Sequence, residues 1–527
     1  MRNLFAALLA NLCLVSVATS AALPESVRDA LTRANIPLSG VGIVVQKTDA
    51  RTALLSQNAR QAMNPASTMK LLTTFAALET LGPAYRWKTE AYLDGTLENG
   101  VLQGNLVFKG YGDPKLTIDQ FWLWLRELRQ RGLREIRGDI VLDCSFFEAG
   151  IHDPAEFDND PTRAYNVGPN ALLLNFNALH LRLIPNATQP DALLEPNLSG
   201  YVINNQIKTA PKQPCKGGDT YSARLQERNI VLEGTIPVDC GEVDDYFSLL
   251  PHSDYFFAVF SSLWQELGGT LQGKLRAGSV PADQAAFSTH FSPPLSEVIR
   301  DINKFSNNIM ARQLFLTLGT LPTASDITNS LRKPVLQNRP AITELNTPQS
   351  GITNTDDLAS GNSGVVLAEL DAGFAPSVDD QPPRCDPSAS IARSTAAMQQ
   401  WLDTQRLKFP ELVLENGSGL SRAERISAQS LAELLQRATH SKFSAELVAS
   451  LPILGMDGTM KKRFKDNEIA GYAHLKTGML EGVKSLAGYV QANSGEQWIV
   501  VFIINHPNAK HGQDAQDALI EWLQKRH

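Results

Sequence analysis

Hydrophobic and polar positions fall into blocks of different period along the 527 residues. Val41 to Lys47 and Ala53 to Leu55 read as two strands joined by the polar turn Thr48 to Thr52. After them Leu71, Leu72, Phe75, Ala76, Leu78 and Leu81 recur at helical spacing and stop at Gly82 and Pro83. This pattern predicts a buried helix with Asn64 as its N-cap and Pro65 as its first residue, where a missing N–H costs nothing. From about Trp87 to Val280 the period shortens. Strand-like runs lie at Ala91 to Leu93, Gly104 to Phe108, Gly138 to Leu142, Leu179 to Leu183 and Ile230 to Ile236, interrupted by one helix, Ile118 to Gln130. Helical spacing returns from Ser296 to Leu318, fails between about 321 and 392, and resumes at Ala396 to Leu402 and Ala428 to Arg437. The chain closes with a strand at Tyr472 to Lys476, a hairpin of Lys484 to Gln491 with Trp498 to Asn505, and an amphipathic helix through Ala515, Leu519 and Leu523.

Length and composition set bounds on this picture. Residues 1–22 read as a secretory signal: Arg2, an apolar run from Leu4 to Ala10, then small residues from Ala18 to Ala22. No later stretch is long and apolar enough to span a bilayer, so an exported protein with no integral membrane segment is expected. The remaining ~500 residues exceed one core and imply two or three domains. With 43% hydrophobic and 20% charged residues the composition is globular. A formal charge of -7 and the lack of a dense basic run argue against a nucleic-acid partner. Removing Cys13 with the signal leaves Cys144, Cys215, Cys240 and Cys385. Export permits disulfides, and Cys215 with Cys240, which flank one polar stretch, is the first choice among the pairings. No Cys/His cluster has zinc spacing, so no metal and no cofactor are expected.

Three short motifs carry chemistry. Ser67, Thr68, Met69 and Lys70 open the first buried helix. Residues three apart are neighbours there, so the Lys70 amine can take the Ser67 proton. The first amides of a helix lack internal partners, which leaves the Ser67 N–H for an oxyanion. The same pattern at Ser330 to Lys333 is discarded, because Pro334 pushes its lysine out of the helical region. Ser306, Asn307 and Asn308 lie between two apolar segments that hold them rigidly, unlike the copies at Ser56 and Ser360. Lys476, Thr477 and Gly478 end a strand, and no other Lys-Thr pair in the chain is followed by glycine.

Ser-x-x-Lys, Ser-x-Asn and Lys-Thr-Gly in this order form the motif set of penicillin-binding proteins and serine β-lactamases. The chain resembles the D-alanyl-D-alanine carboxypeptidase/endopeptidase family, the class C low-molecular-mass penicillin-binding proteins. The glycine-rich loop Asn416 to Arg422 and the turn Gly112-Asp113-Pro114 share the resemblance. It implies an α+β fold, a penicillin-recognising serine transpeptidase-like domain whose antiparallel sheet lies between helices, split by inserted mostly-β domains. The divisions are then 23–89 and 285–527 for the catalytic domain, with a loop-rich excursion at about 321–392, and 90–284 for the insertion. Ser67 would acylate on a D-Ala-D-Ala carbonyl with Lys70 as base. Ser306 would relay a proton, Asn308 would bond the substrate amide or hold Lys70, and Lys476 with Thr477 would take the terminal carboxylate. Gly478 would admit the substrate backbone, and the Met479 amide would complete the oxyanion hole. Peptidoglycan stem peptides are the implied substrates, β-lactams the implied covalent inhibitors, and the periplasm or cell envelope the implied location. A β-lactamase of class C carries Tyr-x-Asn in its middle motif, and no Tyr-x-Asn occurs here. A class A β-lactamase needs a deacylating glutamate, which the sequence leaves open, although the inserted domains argue against a compact β-lactamase. A wall-binding or penicillin-sensing protein that no longer turns over is the other rival. Terminal trimming and crosslink cleavage stay equally open.

Overall fold

The computed structural model describes residues 21–148, 152–211, 220–281, 283–322 and 389–526. Residues 1–20 of the expected signal, most of the 321–392 excursion, the second Ser-x-x-Lys copy, Cys215 and Cys385 lie outside them.

The strand Gln497–Asn505 is apolar at nearly every position because both its faces are covered. It lies at the centre of a five-stranded antiparallel sheet in the order Ala473–Leu480, Val483–Gln491, Gln497–Asn505, Val41–Lys47, Leu55–Gln57. Ile499, Val501 and Ile503 face one core, shared with the helices Lys70–Leu81, Leu295–Phe305, Asn308–Leu318, Ile391–Thr404 and Ala428–Thr439. Trp498, Val500, Phe502 and Ile504 face the other, closed by Glu25–Arg33 and Gln513–Gln524. Alternate side chains of one strand thus serve two helical layers, and the antiparallel sheet lies between helices.

Between the helices Lys70–Leu81 and Leu295–Phe305 the chain forms the mostly β segment. Lys88–Glu98 and Val101–Gly110 form a long hairpin inside a seven-stranded sheet. Ser288–Phe291 returns to pair with Lys88–Glu98, Ser288 opposite Ala91, so the segment leaves and re-enters at one place. Two three-stranded sheets, one built on Val202–Ala210 and one on Leu179–Ile184, complete it.

Four local expectations need correction. Among the described residues the segment holds two α-helices, not one. His252–Glu266 is rich in aromatic residues that favour strands, but Phe256, Phe260 and Leu263 share a helical face that packs on Phe108 and Phe121. The stretch from Ser296 to Leu318 is two helices broken at Ser306, whose φ of 58° is left-handed. The second strand sits slightly later than read, at Leu55–Gln57. The regular helix begins at Lys70, preceded by a 3₁₀ turn over Ala66–Met69. Asn64 still serves that turn, its Oδ1 accepting the Ala66 N–H at 2.9 Å.

Candidate active site

The 3₁₀ turn brings Ser67 and Lys70 together more closely than an α-helix would. Side chains at i and i+3 eclipse in a 3₁₀ turn, and Lys70 Nζ lies 2.9 Å from Ser67 Oγ. The turn starts from a left-handed Ala66, φ 46°, a conformation that costs a non-glycine residue roughly 1–3 kcal/mol. Surrounding bonds hold it in place. The Ser485 hydroxyl donates to Pro65 O at 2.5 Å, Asn64 exchanges two hydrogen bonds with the Asn505 amide, and Asn64 Nδ2 donates to Ser421 O at 2.8 Å.

Lys70 is fully buried and meets two further acceptors, Asn308 Oδ1 at 2.6 Å and the Ser418 carbonyl. A neutral amine has two N–H donors and one lone pair. In that neutral form Asn308 and Ser418 would take the two donors, and the lone pair would be left for the Ser67 hydroxyl. Burial first, and the Lys476 charge second, hold Lys70 well below the usual lysine range.

The break between two helices places the middle motif. Ser306 caps Leu295–Phe305 in the left-handed region, and Asn307 caps Asn308–Leu318, its side chain accepting the Met310 N–H at 3.0 Å. Ser306 Oγ accepts from Lys476 Nζ at 2.9 Å. Lys476 is buried, and burial pushes it down to about 7. The Thr477 hydroxyl pairs with Thr459 Oγ1 at 2.7 Å.

Ala473–Leu480 is an edge strand, paired only with Val483–Gln491 in its sheet. At Gly478 a Cβ would stand 2.8 Å from Ser67 N and 2.3 Å from Ser485 Oγ. The strand therefore approaches the nucleophile as only glycine permits. Ser67, Ser306, Asn308, Thr477, Gly478 and Met479 line one open cleft of about 630 Å³, joined by Phe157 and Tyr165 from the β segment. All eight residues read from the sequence therefore meet at one place.

Comparison with known proteins gives the family and the fold. The model of the D-Ala-D-Ala carboxypeptidase 3 (S13) family matches residues 23–339 and 384–526. The chain belongs to that family. It is 24% identical over 472 residues to the D-alanyl-D-alanine carboxypeptidase DacB of Haemophilus influenzae, covering 89% of this chain and 85% of that one. It is 25% identical over 478 residues to a D-alanyl-D-alanine carboxypeptidase of an Actinomadura species, covering 86% and 76%. The crystal structure of penicillin binding protein 4 (dacB) from H. influenzae superposes with a TM-score of 0.67 at 22% identity, over 94% of this chain and 99% of that one. The S13 chain described here therefore shares the penicillin-binding protein fold.

Three contributors escaped the sequence reading. The Ser418 carbonyl on Lys70 is a backbone group, which carries no residue signature. Thr459 belongs to a short turn distant in sequence from Thr477. Glu424 lies two residues beyond the glycine-rich loop that was singled out, and its carboxylate holds that loop.

Proposed function

We propose that this S13 protein is an exported serine hydrolase of D-Ala-D-Ala bonds in peptidoglycan stem peptides, acting through a Ser67 acyl-enzyme and inhibited by β-lactams. One observation carries the reading: the buried Lys70 amine lies 2.9 Å from Ser67 Oγ and meets two further acceptors, Asn308 Oδ1 and the Ser418 carbonyl, so that in its neutral form the lone pair is left for Ser67. Ser67 Oγ attacks the carbonyl of the penultimate D-Ala while Lys70 takes its proton. Negative charge gathers on the carbonyl oxygen, where the Ser67 and Met479 amides receive it. The leaving amine collects a proton by way of Ser306, which Lys476 orients. Lys476 and Thr477 bind the terminal carboxylate, and Gly478 lets the peptide lie along the open strand edge. Water then hydrolyses the ester and restores Ser67.

Substrate assays test this reading. The mature protein and a Ser67→Ala control are incubated with monomeric pentapeptide and with crosslinked dimeric muropeptides, and the products are weighed. Loss of D-Ala, or cleavage of the dimers, only where Ser67 is present supports the hydrolase and tells which bond it prefers. Survival of both substrates while penicillin still acylates Ser67 would replace the hydrolase with a penicillin-sensing protein.

A further inference from the structure

Behind Lys70 lies a buried carboxylate that no step of the proposed reaction uses. Glu424 is fully buried. Its Oε1 accepts the backbone N–H groups of Glu415, Asn416 and Gly417 at 3.2, 3.0 and 2.9 Å. Its Oε2 has no donor among the described residues. The loop gathered by these bonds turns two carbonyls toward the nucleophile's helix: Gly417 O accepts from the Thr73 hydroxyl at 2.6 Å, and Ser418 O accepts from Lys70. Asn416 Oδ1 stiffens the loop by accepting both the Ser418 N–H at 2.9 Å and the Ser418 hydroxyl at 2.6 Å.

We propose that Glu424 is the positioning residue of the acylation step, holding the Ser418 carbonyl on Lys70 and setting a negative charge behind that amine. The inference rests on the reading of Lys70 as the base. Lys70 must keep its lone pair on Ser67, and it does so only while both N–H groups are engaged. Asn308 engages one, and the loop clamped by Glu424 engages the other. The charge matters as well as the clamp. Lys70 is faced by Lys476, Arg312 and Glu424, and only Glu424 opposes the loss of its proton. Burial pushes the Glu424 carboxyl up, and the three backbone N–H groups and Lys70 act against that to favour its charged form. Arg312 is itself buried and bound to Val167 O at 2.8 Å, with Glu424, Glu415 and Glu156 as its acidic neighbours. A lysine with two cations and no anion beside it would be too weak a base for a serine hydroxyl.

Two variants separate the clamp from the charge. Glu424→Gln keeps an oxygen for the three N–H groups and removes the charge, whereas Glu424→Ala removes both. The rate constant for acylation by a chromogenic β-lactam is measured against pH, with the adduct mass and the melting temperature recorded beside it. In Glu424→Gln the acidic limb should move down by about one pH unit, because an amine without its anion stays neutral to lower pH. Its plateau should fall, because the base is weaker. Glu424→Ala should lose roughly tenfold or more of the plateau through misplacement of the amine. A Glu424→Gln profile that superimposes on the parent in both limb and plateau overturns the inference, even if Glu424→Ala fails to fold. Lys70→Ala serves as the control. If it acylates at the parent rate, the base reading itself falls. If it is inert while Glu424→Gln is silent, only the role of Glu424 falls.

Discussion

At the scale of single residues, burial lowers both Lys70 and Lys476, while the proposed reaction needs the first neutral and the second charged. Acylation needs Lys70 neutral, so the rate should fall as pH drops through its depressed pKa. Carboxylate binding needs Lys476 charged, and burial brings that amine to about 7, so binding should weaken as pH rises past that value. The expected kcat/KM profile is a bell whose alkaline limb lies near 7, far below an ordinary lysine. Bound substrate sets a carboxylate beside Lys476 and favours its charged form, so the alkaline limb of kcat should lie higher than that of kcat/KM. Equal alkaline limbs in the two profiles would remove Lys476 from substrate binding. Replacing the base by Lys70→Ala should slow acylation by about a thousandfold while the protein stays folded, measured as adduct formation against time. The sequence pointed to both lysines because their motifs are local. It gave no sign of Ser418 or Glu424, since a backbone acceptor and a loop-clamping carboxylate are recognised only by what they touch.

At the scale of elements, the 3₁₀ turn and the edge strand act as a pair. Gly478 is the contact between them: a Cβ there meets Ser67 N and Pro65 O at 2.8 Å, both backbone atoms that cannot swing aside. Gly478→Ala should therefore push the strand off the nucleophile and cut acylation by roughly tenfold to a hundredfold, with less effect on stability. Comparable acylation by the variant and its parent would show that the two elements part without cost. Gly419 faces the same turn from the other side, with φ of 80° and a would-be Cβ 1.9 Å from Ala66 O. Gly419→Ala should destabilise the fold by about 1–3 kcal/mol, read from denaturant unfolding, because it adds a steric clash to a left-handed backbone. Helical periodicity predicted both flanking helices of the middle motif but not the break at Ser306. That break follows from packing, because Asn308 must meet Lys70 while Ser306 meets Lys476.

At the scale of the whole molecule, the β segment is joined to the catalytic core beside the site. Gln313, on the helix that carries Asn308, is fully buried and exchanges two backbone hydrogen bonds with Asn170, at 3.0 and 2.8 Å. Gln313→Ala leaves both groups of Asn170 without that partner and should lower stability by about 1–3 kcal/mol. An unchanged unfolding midpoint would mean that water replaces the glutamine. The free Cys144 lies in the same segment, and Cys240 is disulfide-bonded, its expected partner Cys215 lying outside the described residues. Among the described residues no helix is long and apolar enough to cross a membrane. By itself the sequence determined the strands and helices whose periods are strong, the change of character from about Trp87 to Val280, and the three motifs with their order. Each of these is encoded within a few neighbouring residues. Tertiary structure alone decided that Ser67, Asn308 and Ser418 meet at Lys70 while Ser306 meets Lys476, that Glu424 clamps the loop behind Lys70, and that a second aromatic helix packs in the β segment. Those facts depend on burial and on contacts between residues hundreds of positions apart, and no local pattern records which distant group will satisfy a buried amine.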